Sequence, residues 1–440
     1  MNLTKTKWTC IANTQCLPRR KSFSVLIDQC YDSGMIERKA AVFHLYPTPE
    51  QETQMAQIAG ACRFVYNLGL EQRRDWWRQY KTNTGLNISF ASQCRELTEL
   101  RAEVDWLKAA PVHTLQQALR DLDRAYQNFF AGRAAYPTPR KRGVNDSFRF
   151  PDPVSLIVER TGKSSGRVKM PKLGWVRLRG WYALSGDICT ITVSRRAGQW
   201  FAAVQCEREV AEPMPSTLPA VGIDMGVAVF AALSDGTNIA PANHGKKALR
   251  ALRKAQRALA RKKRGSANRR KAVRRVARIQ QRVANARKDF LHKKSTTIAK
   301  NHGVVVVEAL QVRNMSASAK GTAEEPGRQV RQKAGLNRAI LDQGWSMFRT
   351  MLGYKLVDRG GKMIEVPPAY TSQTCSCCGC VDAGNRRDQA TFVCVRCGHT
   401  ANADTNAAIN ILRRMDRASK PVEGHRTKRP GEAGTLRRAA

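Results

Sequence analysis

Two C-x-x-C-G motifs lie close together near the carboxyl end of the chain. Cys375 and Cys378 form the first motif, Cys394 and Cys397 form the second, and each motif ends in a glycine. Four thiolates in two such pairs match the ligand set of a tetrahedral structural Zn²⁺ site. A glycine suits the tight turn that follows the second cysteine of each pair. We therefore predict a small zinc-binding unit over residues 373–399.

Two further cysteines, Cys377 and Cys380, create a second C-x-x-C motif that overlaps the first one. We assign the zinc ligands to Cys375 and Cys378 because only this pair is followed by a glycine, as is the pair in the later motif. The remaining cysteines are scattered along the chain, which is typical of a protein in a reducing compartment.

The chain is strongly basic, with a formal net charge of +41 over 440 residues. Its hydrophobic content of 42% is that of a folded protein, so the excess of cations indicates a polyanionic partner. Nucleic acid is the first candidate, and an anionic membrane surface is the alternative. No stretch approaches the ~20 consecutive apolar residues of a membrane-spanning helix. We recognise no secretory signal, and we expect a prokaryotic cytoplasmic protein associated with the nucleoid.

The two ends of the chain lack the periodicity of its interior. Residues 1–34 show little pattern, and the alternation of apolar and polar residues begins only near Met35. We expect the functional protein to begin near Met35 after a dispensable leader, because the first predicted strand starts there. The tail over residues 416–440 is basic and contains proline and glycine, so we predict that it is disordered.

A helical region is predicted between the first strand, at residues 35–48, and residue 136. Residues 48–51 form a capping box with proline at the first helical position. Apolar residues recur at helical spacing over 112–130, and core packing explains them. Arginines and tryptophans are interleaved over 73–78, where they either contact nucleic acid or belong to a helix with a buried tryptophan and solvated arginines. The sequence favours neither alternative.

The next region, over residues 137–212, has the pattern of a small antiparallel β domain of barrel-like form. Alternating runs predict strands over 155–159, 167–170, 175–178, 188–193 and 200–206. Residues 194–199 form a hairpin loop between the last two runs. The exposed positions of this region are basic: Arg167, Lys169, Lys172, Arg177 and Arg179. Prolines then mark a linker, at Pro213, Pro215 and Pro219.

Residues 213–372 have the pattern of an α/β domain. Strands are predicted over 220–224, 225–233, 304–307 and 362–366, and a helix over 335–359. The consecutive valines of 304–307 are typical of a strand that is buried on both faces. Two of these strands end in an acid, since Asp224 closes the first and Glu308 follows the valines.

A basic helical hairpin interrupts this domain over residues 246–294. Lysine or arginine occupies 21 of these positions, and Asp289 is the only acid among them. Apolar residues recur at helical spacing on both sides of residues 265–268, which predicts two helices with one apolar and one cationic face. So many like charges repel one another unless a polyanion binds them, and this favours a nucleic-acid contact over a merely solvated face.

Three acids are the candidate catalytic residues. Asp224 and Glu308 end strands, and Asp404 opens a helix after the second cysteine motif. A lone aspartate at a helix start usually caps the helix, but functional groups gather where the strands of an open α/β sheet end. Three carboxylates that converge there repel one another, and divalent cations remove that conflict. Oxygen ligands indicate Mg²⁺ or Mn²⁺, and two such ions hydrolyse phosphodiesters.

Three segments together resemble the TnpB (OrfB) family of transposon-encoded RNA-guided nucleases, which are similar to the ancestors of type V CRISPR effectors. The segments read V-G-I-D-M-G from Val221, V-V-V-E-A-L from Val305, and C-V-R-C-G-H-T-A-N-A-D-T-N from Cys394. The likeness extends roughly from residue 35 to residue 412. It does not include the leader, and the family pattern lacks the two extra cysteines.

The resemblance implies an α+β multidomain protein with a RuvC-type, RNase H-like nuclease domain. Asp224, Glu308 and Asp404 are then its catalytic, Mg²⁺-binding acids. The implied domains are a wedge domain over 35–48 and 137–212, interrupted by a helical recognition lobe over 49–136, and a nuclease domain over 213–372 that ends in a helix over 400–415. The four cysteines at 375, 378, 394 and 397 hold the zinc of an inserted target-nucleic-acid-binding ribbon over 373–399.

The first functional hypothesis is therefore an RNA-guided endonuclease that cuts double-stranded DNA beside a short adjacent motif, acting as a monomer with a guide RNA. A DDE-like transposase or a non-guided nuclease shares the three acids and their metal chemistry but needs no RNA. A zinc-ribbon DNA regulator that only binds is the third hypothesis, although a pure binder does not need three acids. No G-x-x-x-x-G-K-[ST] loop is present, so nothing indicates an NTPase.

Overall fold

The computed structural model of the chain describes residues 35–79, 88–181, 183–322 and 324–415. The predicted leader and the predicted disordered tail, residues 1–34 and 416–440, lie outside the described residues. In the described ranges, no helix has both the length and the apolar character needed to cross a bilayer.

A seven-stranded antiparallel sheet forms the first half of the fold. Its strands are β1 (Met35–Tyr46), β2 (Ser147–Phe150), β3 (Ile157–Arg160), β4 (Ser165–Met170), β5 (Gly174–Arg179), β6 (Asp187–Arg196) and β7 (Gln199–Val210). They are ordered β2-β6-β7-β1-β5-β4-β3. The predicted antiparallel pairing is confirmed, and β1 enters the middle of the sheet between β7 and β5. Strand β2 was not predicted.

The predicted hairpin loop over 194–199 is too long. Strands β6 and β7 continue their pairing as far as Arg196 and Gln199, which leaves only Ala197 and Gly198 in the turn. Both turn residues have positive φ, at 50° and 82°. A two-residue turn of this kind matches the twist of the strands that it joins, so the ladder extends to the turn.

Four helices accompany this sheet: α1 (Pro49–Gln79), α2 (Phe90–Glu103), α3 (Asp105–Lys108) and α4 (Val112–Phe130). Helices α1 and α4 pack on β2, and α2 packs on α4 and on α3. The predicted capping box is present, since Gln51 N donates to Thr48 Oγ1 at 3.3 Å and Thr48 N donates to Gln51 Oε1 at 3.1 Å. The apolar stripe of α4 is buried at Leu115, Leu119 and Leu122, as the core interpretation predicted.

The arginines and tryptophans at the end of α1 do not all have the same environment. Arg73 is structural, because its guanidinium donates to Gln93 Oε1 at 2.9 Å and to Asp123 Oδ1 at 3.0 Å. Trp77 is not buried, with 51% of its surface exposed. The interpretation as a helix with a buried tryptophan and solvated arginines is therefore wrong for both Trp77 and Arg73.

A five-stranded mixed sheet forms the core of the second half. Its strands are β8 (Ala220–Asp224), β9 (Ala231–Leu233), β10 (Asn238–Ile239), β11 (Val304–Glu308) and β12 (Lys362–Val366), in the order β10-β9-β8-β11-β12. Strands β8, β11 and β12 are parallel, and Val305, Val306 and Val307 are fully buried, as the valine run predicted. The predicted strand over 225–233 is wrong in length, because the chain turns through 225–230 before it pairs back as β9.

The helices of this half are α5 (His244–Ala260), α6 (Ala267–Asn301), α7 (Val312–Met315), α8 (Val330–Gln343) and α9 (Trp345–Val357). The predicted basic hairpin is confirmed as α5 and α6. Its turn ends at Ser266, whose hydroxyl caps α6 by accepting from Arg269 N at 3.1 Å. The single helix predicted over 335–359 is wrong: Gly344 adopts a φ of 73° and separates α8 from α9.

The last part of the fold combines a cysteine ribbon with a final helix. The ribbon contains a short 3₁₀ helix (Ala383–Asn385) and the strands β13 (Thr391–Val393) and β14 (Thr400–Asn402), and helix α10 (Ala403–Arg413) follows directly. Ile411 of α10 is buried with Val306 and Val366 of the five-stranded sheet. Helix α10 therefore joins the ribbon to that sheet.

Strand β8 and helix α10 approach each other closely at Gly222. A methyl group on Gly222 would lie 2.7 Å from Leu412 N and closer still to the Ala408 carbonyl oxygen. We expect Gly222→Ala to destabilise the protein by at least about 2 kcal/mol, because two backbones must separate. Gly353→Ala in α9 is the matched control, since its methyl would lie 3.5 Å from Met363 Cε and a helical alanine is favourable. Denaturant unfolding of both variants tests this, and equal stabilities would contradict it.

Candidate nuclease and zinc sites

The four cysteines of the two motifs come together in the ribbon. The Sγ atoms of Cys375, Cys378, Cys394 and Cys397 all lie within 4.8 Å of one another. Cys377 is exposed and stands outside this cluster. Four convergent thiols are the donor set of a structural zinc site. They are the same four cysteines that the sequence analysis selected because a glycine follows each pair.

The two cysteine turns are built alike. Gly379 N donates to Cys375 O at 3.0 Å, and Gly398 N donates to Cys394 O at the same distance. Both glycines have positive φ, at 74° and 69°, a conformation that strains other residues. The glycines therefore allow each turn to present two thiols to the same point.

A backbone N–H group stabilises one thiolate of the cluster. Cys397 N donates to Cys394 Sγ at 3.5 Å, and this bond is the main reason why the pKa of Cys394 falls to about 6. The thiolate is the form that ligates metals, and the pKa values of Cys375, Cys378 and Cys397 are raised, so a metal ion that binds the cluster would displace protons from those three thiols.

The two acids that end strands lie side by side in the five-stranded sheet. The parallel register pairs Ile223 with Val307, and Asp224 and Glu308 are the next residue on each strand. Glu308 is 7% exposed, and Asp224 is half-buried. Helix α10 packs on β8 and carries Asp404 in its first turn. All three predicted acids are thus placed at the same end of the sheet.

Glu308 and Asp404 both act electrostatically on Asp224. The pKa of Asp224 rises from 3.8 to about 7. Burial is the largest cause, and the negative charges of Glu308 and Asp404 contribute to the same shift. Among the described residues, the four cysteines are the group whose ligand atoms all lie within 4.8 Å of one another. The carboxylate oxygens of the three acids are spread more widely than that.

Glu308 is held by a neighbouring hydroxyl. Thr371 Oγ1 donates to Glu308 Oε1 at 2.5 Å. Burial raises the pKa of Glu308, while this hydrogen bond and the charge of Arg414 act in the opposite direction. Thr371 is itself buried and therefore fixes the position of one carboxylate oxygen.

Two buried asparagines of α10 connect this site to the ribbon. Asn410 Nδ2 donates to the carbonyl oxygens of Thr371 and Thr374, at 3.1 and 2.6 Å. Asn406 Nδ2 donates to Thr374 O at 2.8 Å, and Asn406 Oδ1 accepts from Ser376 N at 2.9 Å. Ser376 lies between the first two clustered cysteines, so the ribbon and the face of α10 that follows Asp404 form one hydrogen-bonded unit.

Asp404 does not cap its helix. The N-cap is Asn402, whose side chain accepts from Asp404 N at 3.0 Å and from Thr405 N at 3.2 Å. Asp404 is therefore not the N-cap residue that a lone aspartate at a helix start would usually be, and its carboxylate is not used to cap the helix. Instead, Asp404 Oδ1 faces the guanidinium of Arg386 at 3.6 Å.

Arg386 was missed in the sequence. It comes from the ribbon, where it donates to the backbone carbonyls of Asp388 and Gln389. Its charge lowers the pKa of Asp224, so it acts on two of the three acids. One of many arginines in a basic chain carries no distinguishing pattern, and only the fold brings it to the site.

Three family models match the chain. A "Helix-turn-helix domain" model matches residues 35–82, a "Probable transposase" model of the OrfB type matches 203–319, and a "Cas12f1-like, TNB domain" model matches 345–411. An Escherichia coli K12 protein named "Putative RNA-guided DNA endonuclease InsQ" is 46% identical over 378 residues, which are 85% of this chain and 91% of that protein. The chain belongs to the TnpB family. The resemblance read from the three sequence motifs is thereby confirmed.

Other relatives of this TnpB-family chain agree. A Streptomyces pristinaespiralis protein named "Putative RNA-guided DNA endonuclease" is 34% identical over 405 residues, 89% of this chain and 93% of that protein. The Cas12f1 chain in a structure described as a Cas12f1-sgRNA-target DNA complex superposes with a TM-score of 0.53 at 13% identity, covering 86% of this chain and 99% of that one. This structural likeness shows a shared fold.

A basic groove runs between the two halves of this TnpB-family fold. Its cavity of about 740 Å³ lies between the β6–β7 turn and the start of α6. The arginines that line it are Arg142, Arg195, Arg269, Arg270 and Arg274. The groove continues the cationic face that the sequence predicted for the helical hairpin.

Proposed function

We propose that this chain is an RNA-guided endonuclease that cuts double-stranded DNA beside a short adjacent motif. The observation that carries the proposal is the convergence of Asp224, Glu308 and Asp404 at one end of the five-stranded sheet, in a chain whose relatives are named as RNA-guided DNA endonucleases. In this assignment the five-stranded sheet is a RuvC-type, RNase H-like nuclease domain, and the ribbon is its target-nucleic-acid-binding insertion.

The three acids fit divalent cations. All their donors are carboxylate oxygens, which Mg²⁺ and Mn²⁺ prefer, and burial together with the charges of Glu308 and Asp404 raises the pKa of Asp224. We assign all three as ligands. Two bound ions would supply an activated water and a stabilised leaving oxygen for phosphodiester hydrolysis.

The protein supplies orientation around these ligands. Thr371 holds one oxygen of Glu308, and the buried strands β8 and β11 hold the backbones of Asp224 and Glu308 in register. Arg386 places a partly exposed cation beside Asp404, where a guanidinium would bind the phosphate of the strand to be cut. These are positions set by the fold before any substrate arrives.

The rest of the chain is suited to a guide RNA. The helical hairpin and the adjoining groove would hold RNA phosphates, and the net charge of +41 provides the attraction. Base pairing would then read the target sequence, while the protein reads duplex shape and the adjacent motif. In this assignment the seven-stranded sheet is the wedge domain, and helices α1 to α4 are a recognition lobe that interrupts it.

One experiment tests the proposal directly. RNA that copurifies with the protein is sequenced, and a plasmid that carries a matching target beside a randomised flank is incubated with the complex. We expect cutting only with Mg²⁺ or Mn²⁺, only at the match, and no cutting after the RNA has been digested. Cutting that persists without RNA contradicts the guided mechanism.

A transposase or non-guided nuclease is the second candidate, and the "Probable transposase" description of the matching family model favours it. It would use the same acids to cut or join element ends without RNA, so RNA digestion separates the two. A regulator that only binds DNA would keep its biological effect in an Asp404→Ala variant, whereas either enzyme would lose it.

Thr371 provides a finer test of the acid site. We expect Thr371→Val to lower cleavage about 10- to 100-fold, because losing the partner of a metal-binding carboxylate weakens metal binding by that order. Thr371→Ser keeps the hydroxyl and serves as the matched control. Cleavage rates measured against Mg²⁺ concentration should show a higher requirement for Thr371→Val alone. An unchanged Mg²⁺ requirement would exclude this positioning role.

A further inference from the structure

Tyr370 is an exposed aromatic residue next to the acid site. It directly precedes Thr371, whose hydroxyl donates to Glu308 Oε1 at 2.5 Å. Tyr370 is 64% exposed, which makes it the most exposed of the tyrosines that the structure describes. Among the described residues, its side chain forms no hydrogen bond, ion pair or ring contact. Packing within the chain therefore does not account for a ring at this position.

The backbone of Tyr370 is strained. Its φ is 62°, in the left-handed region that glycine and asparagine adopt most easily and that a bulky side chain rarely occupies. The other described residues that have positive φ and are not glycine carry no aromatic ring: Lys172, Ala197, Asn243 and Gln329. Strained residues are concentrated at functional sites, because they persist only where the surrounding structure holds them in place.

Contacts on both sides of Tyr370 hold its backbone. The guanidinium of Arg414 donates to Pro367 O and to Ala369 O, both at 2.6 Å. Tyr370 O accepts hydrogen bonds from Thr374 N at 3.1 Å and from Thr374 Oγ1 at 2.7 Å. All these bonds use backbone carbonyl groups, so glycine or asparagine at position 370 would form the same turn with less strain. The tyrosine ring thus contributes nothing to the turn that exposes it.

An exposed ring on a fixed backbone beside a nuclease site suits an unpaired nucleobase. Unpaired bases stack on aromatic side chains, and the contact tolerates any sequence because every base has a flat face. Paired bases inside a duplex stack on one another and offer no free face. Each base is attached to the sugar beside its phosphate, so a phosphate at the three acids brings the neighbouring bases towards the segment that contains Tyr370.

We propose that Tyr370 stacks on one unpaired base of the DNA strand that is being cut, next to the cut phosphate, and so fixes the position of the cut. This inference rests on the proposed function, because pairing of a guide RNA with one DNA strand releases the other strand with free bases. Tyr370 is a substrate contact in this assignment. It takes no part in binding the metal ions, for which the three acids are assigned.

A scan with abasic sites tests the contact in the complex of the full chain with its guide RNA. Each target carries one abasic site, at a different position near the cut in the released strand. We expect an abasic site at one position to slow cutting by the parent about 5- to 100-fold, the effect of losing one stacked base. Tyr370→Asn should slow cutting of the intact target by a similar factor and spread the cuts over neighbouring phosphates. The abasic site should slow this variant no further, because both changes remove the same contact.

The choice of variants separates the ring from the strained backbone. Asparagine tolerates positive φ, so Tyr370→Asn removes the ring and keeps the turn. Its midpoint of denaturant unfolding should equal or exceed that of the parent, which separates a lost contact from a loss of folding. Tyr370→Phe keeps the ring and should cut as the parent does. Tyr354→Ala on α9 removes a tyrosine that is 42% exposed and should change neither the cutting rate nor the abasic-site effect.

Fluorescence provides a second readout that requires no cutting. The base analogue 2-aminopurine is dim when it is stacked and bright when it is not. It is placed at the sensitive position of the released strand, in a complex of guide RNA, target and the inactive Asp404→Ala variant. We expect dim fluorescence while Tyr370 is present and bright fluorescence when Tyr370→Asn is added to Asp404→Ala.

Three outcomes would overturn the stacking contact: cutting by Tyr370→Asn at the parental rate, additive effects of Tyr370→Asn and the abasic site, and equal fluorescence in the two complexes. The proposed function is read separately, from the parent protein. Guided cutting by the parent with an unaffected Tyr370→Asn variant contradicts only the stacking contact. If the parent cuts single-stranded DNA without RNA and shows the same dependence on the abasic site and on Tyr370, guidance is wrong and the stacking contact stands.

Discussion

Asp224→Asn should abolish DNA cleavage and at the same time stabilise the metal-free protein. The loss of cleavage follows from removing one of three proposed ligands. The gain in stability follows because folding raises the pKa of Asp224 from 3.8 to about 7 through burial and the charges of Glu308 and Asp404. A carboxyl group with a raised folded pKa is ionised at a cost above neutral pH, and asparagine has no such cost.

The direction of the pH effect is fixed by this shift. In the parent protein, the folded state binds the Asp224 proton more tightly than the unfolded state does, so stability falls as the pH rises from about 4 to about 7. The full pKa shift would change the free energy of unfolding by about 4 kcal/mol. The actual change is smaller, because Asp224 remains partly accessible to water. In a chelator at pH 8, denaturant unfolding should show Asp224→Asn to be more stable than the parent, and the gap should shrink towards pH 5.

An exposed acid is the control for this prediction. Asp289→Asn in α6 removes a carboxylate that is largely exposed and, among the described residues, forms an ion pair with Lys293 one turn away and with no other residue. It should leave stability at pH 8 and cleavage unchanged. Cleavage by Asp224→Asn at the parental rate would remove Asp224 from the catalytic site. A stability difference between Asp224→Asn and the parent that is the same at pH 8 and pH 5 would show that folding does not raise the pKa of Asp224.

The local features of the fold could be predicted because each depends on neighbouring residues. The valine run of β11, the capping box before α1 and the lopsided charge of the hairpin are visible as spacing and composition. The four clustered cysteines could be chosen over Cys377 and Cys380 for the same reason, since a glycine must follow the turn. Asp224 and Glu308 were recognised as strand ends, and parallel strands place their ends together.

The remaining features depend on contacts between segments that are distant in sequence. Gly222 has an ordinary appearance in its strand, yet the backbone of α10 lies against it. Gly344 breaks a predicted helix where Arg287 and Leu291 of α6 leave little room beside it. Arg386 reaches Asp404 only because the ribbon folds back over α10. No periodicity reports such contacts.

Removing zinc from the ribbon should also disrupt the site formed by the three acids. We expect Cys397→Ser to bind no zinc and to reduce plasmid cleavage at least about ten-fold, because a zinc ion at the four thiols would hold a ribbon that unfolds without it. The link is specific: Asn406 and Asn410 bind ribbon backbone from the same helix that carries Asp404, and Arg386 comes from the ribbon itself.

Cys377→Ser is the matched control for this experiment. Cys377 and Cys397 are both exposed cysteines of the ribbon, but only Cys397 belongs to the thiol cluster. Zinc content measured by mass spectrometry and cleavage measured on a plasmid should both be retained in Cys377→Ser. RNA binding should survive in both variants, because the basic hairpin of α5 and α6 is a separate part of the chain. A Cys397→Ser protein that lacks zinc and still cuts at the parental rate would show that α10 holds Asp404 in place without the ribbon.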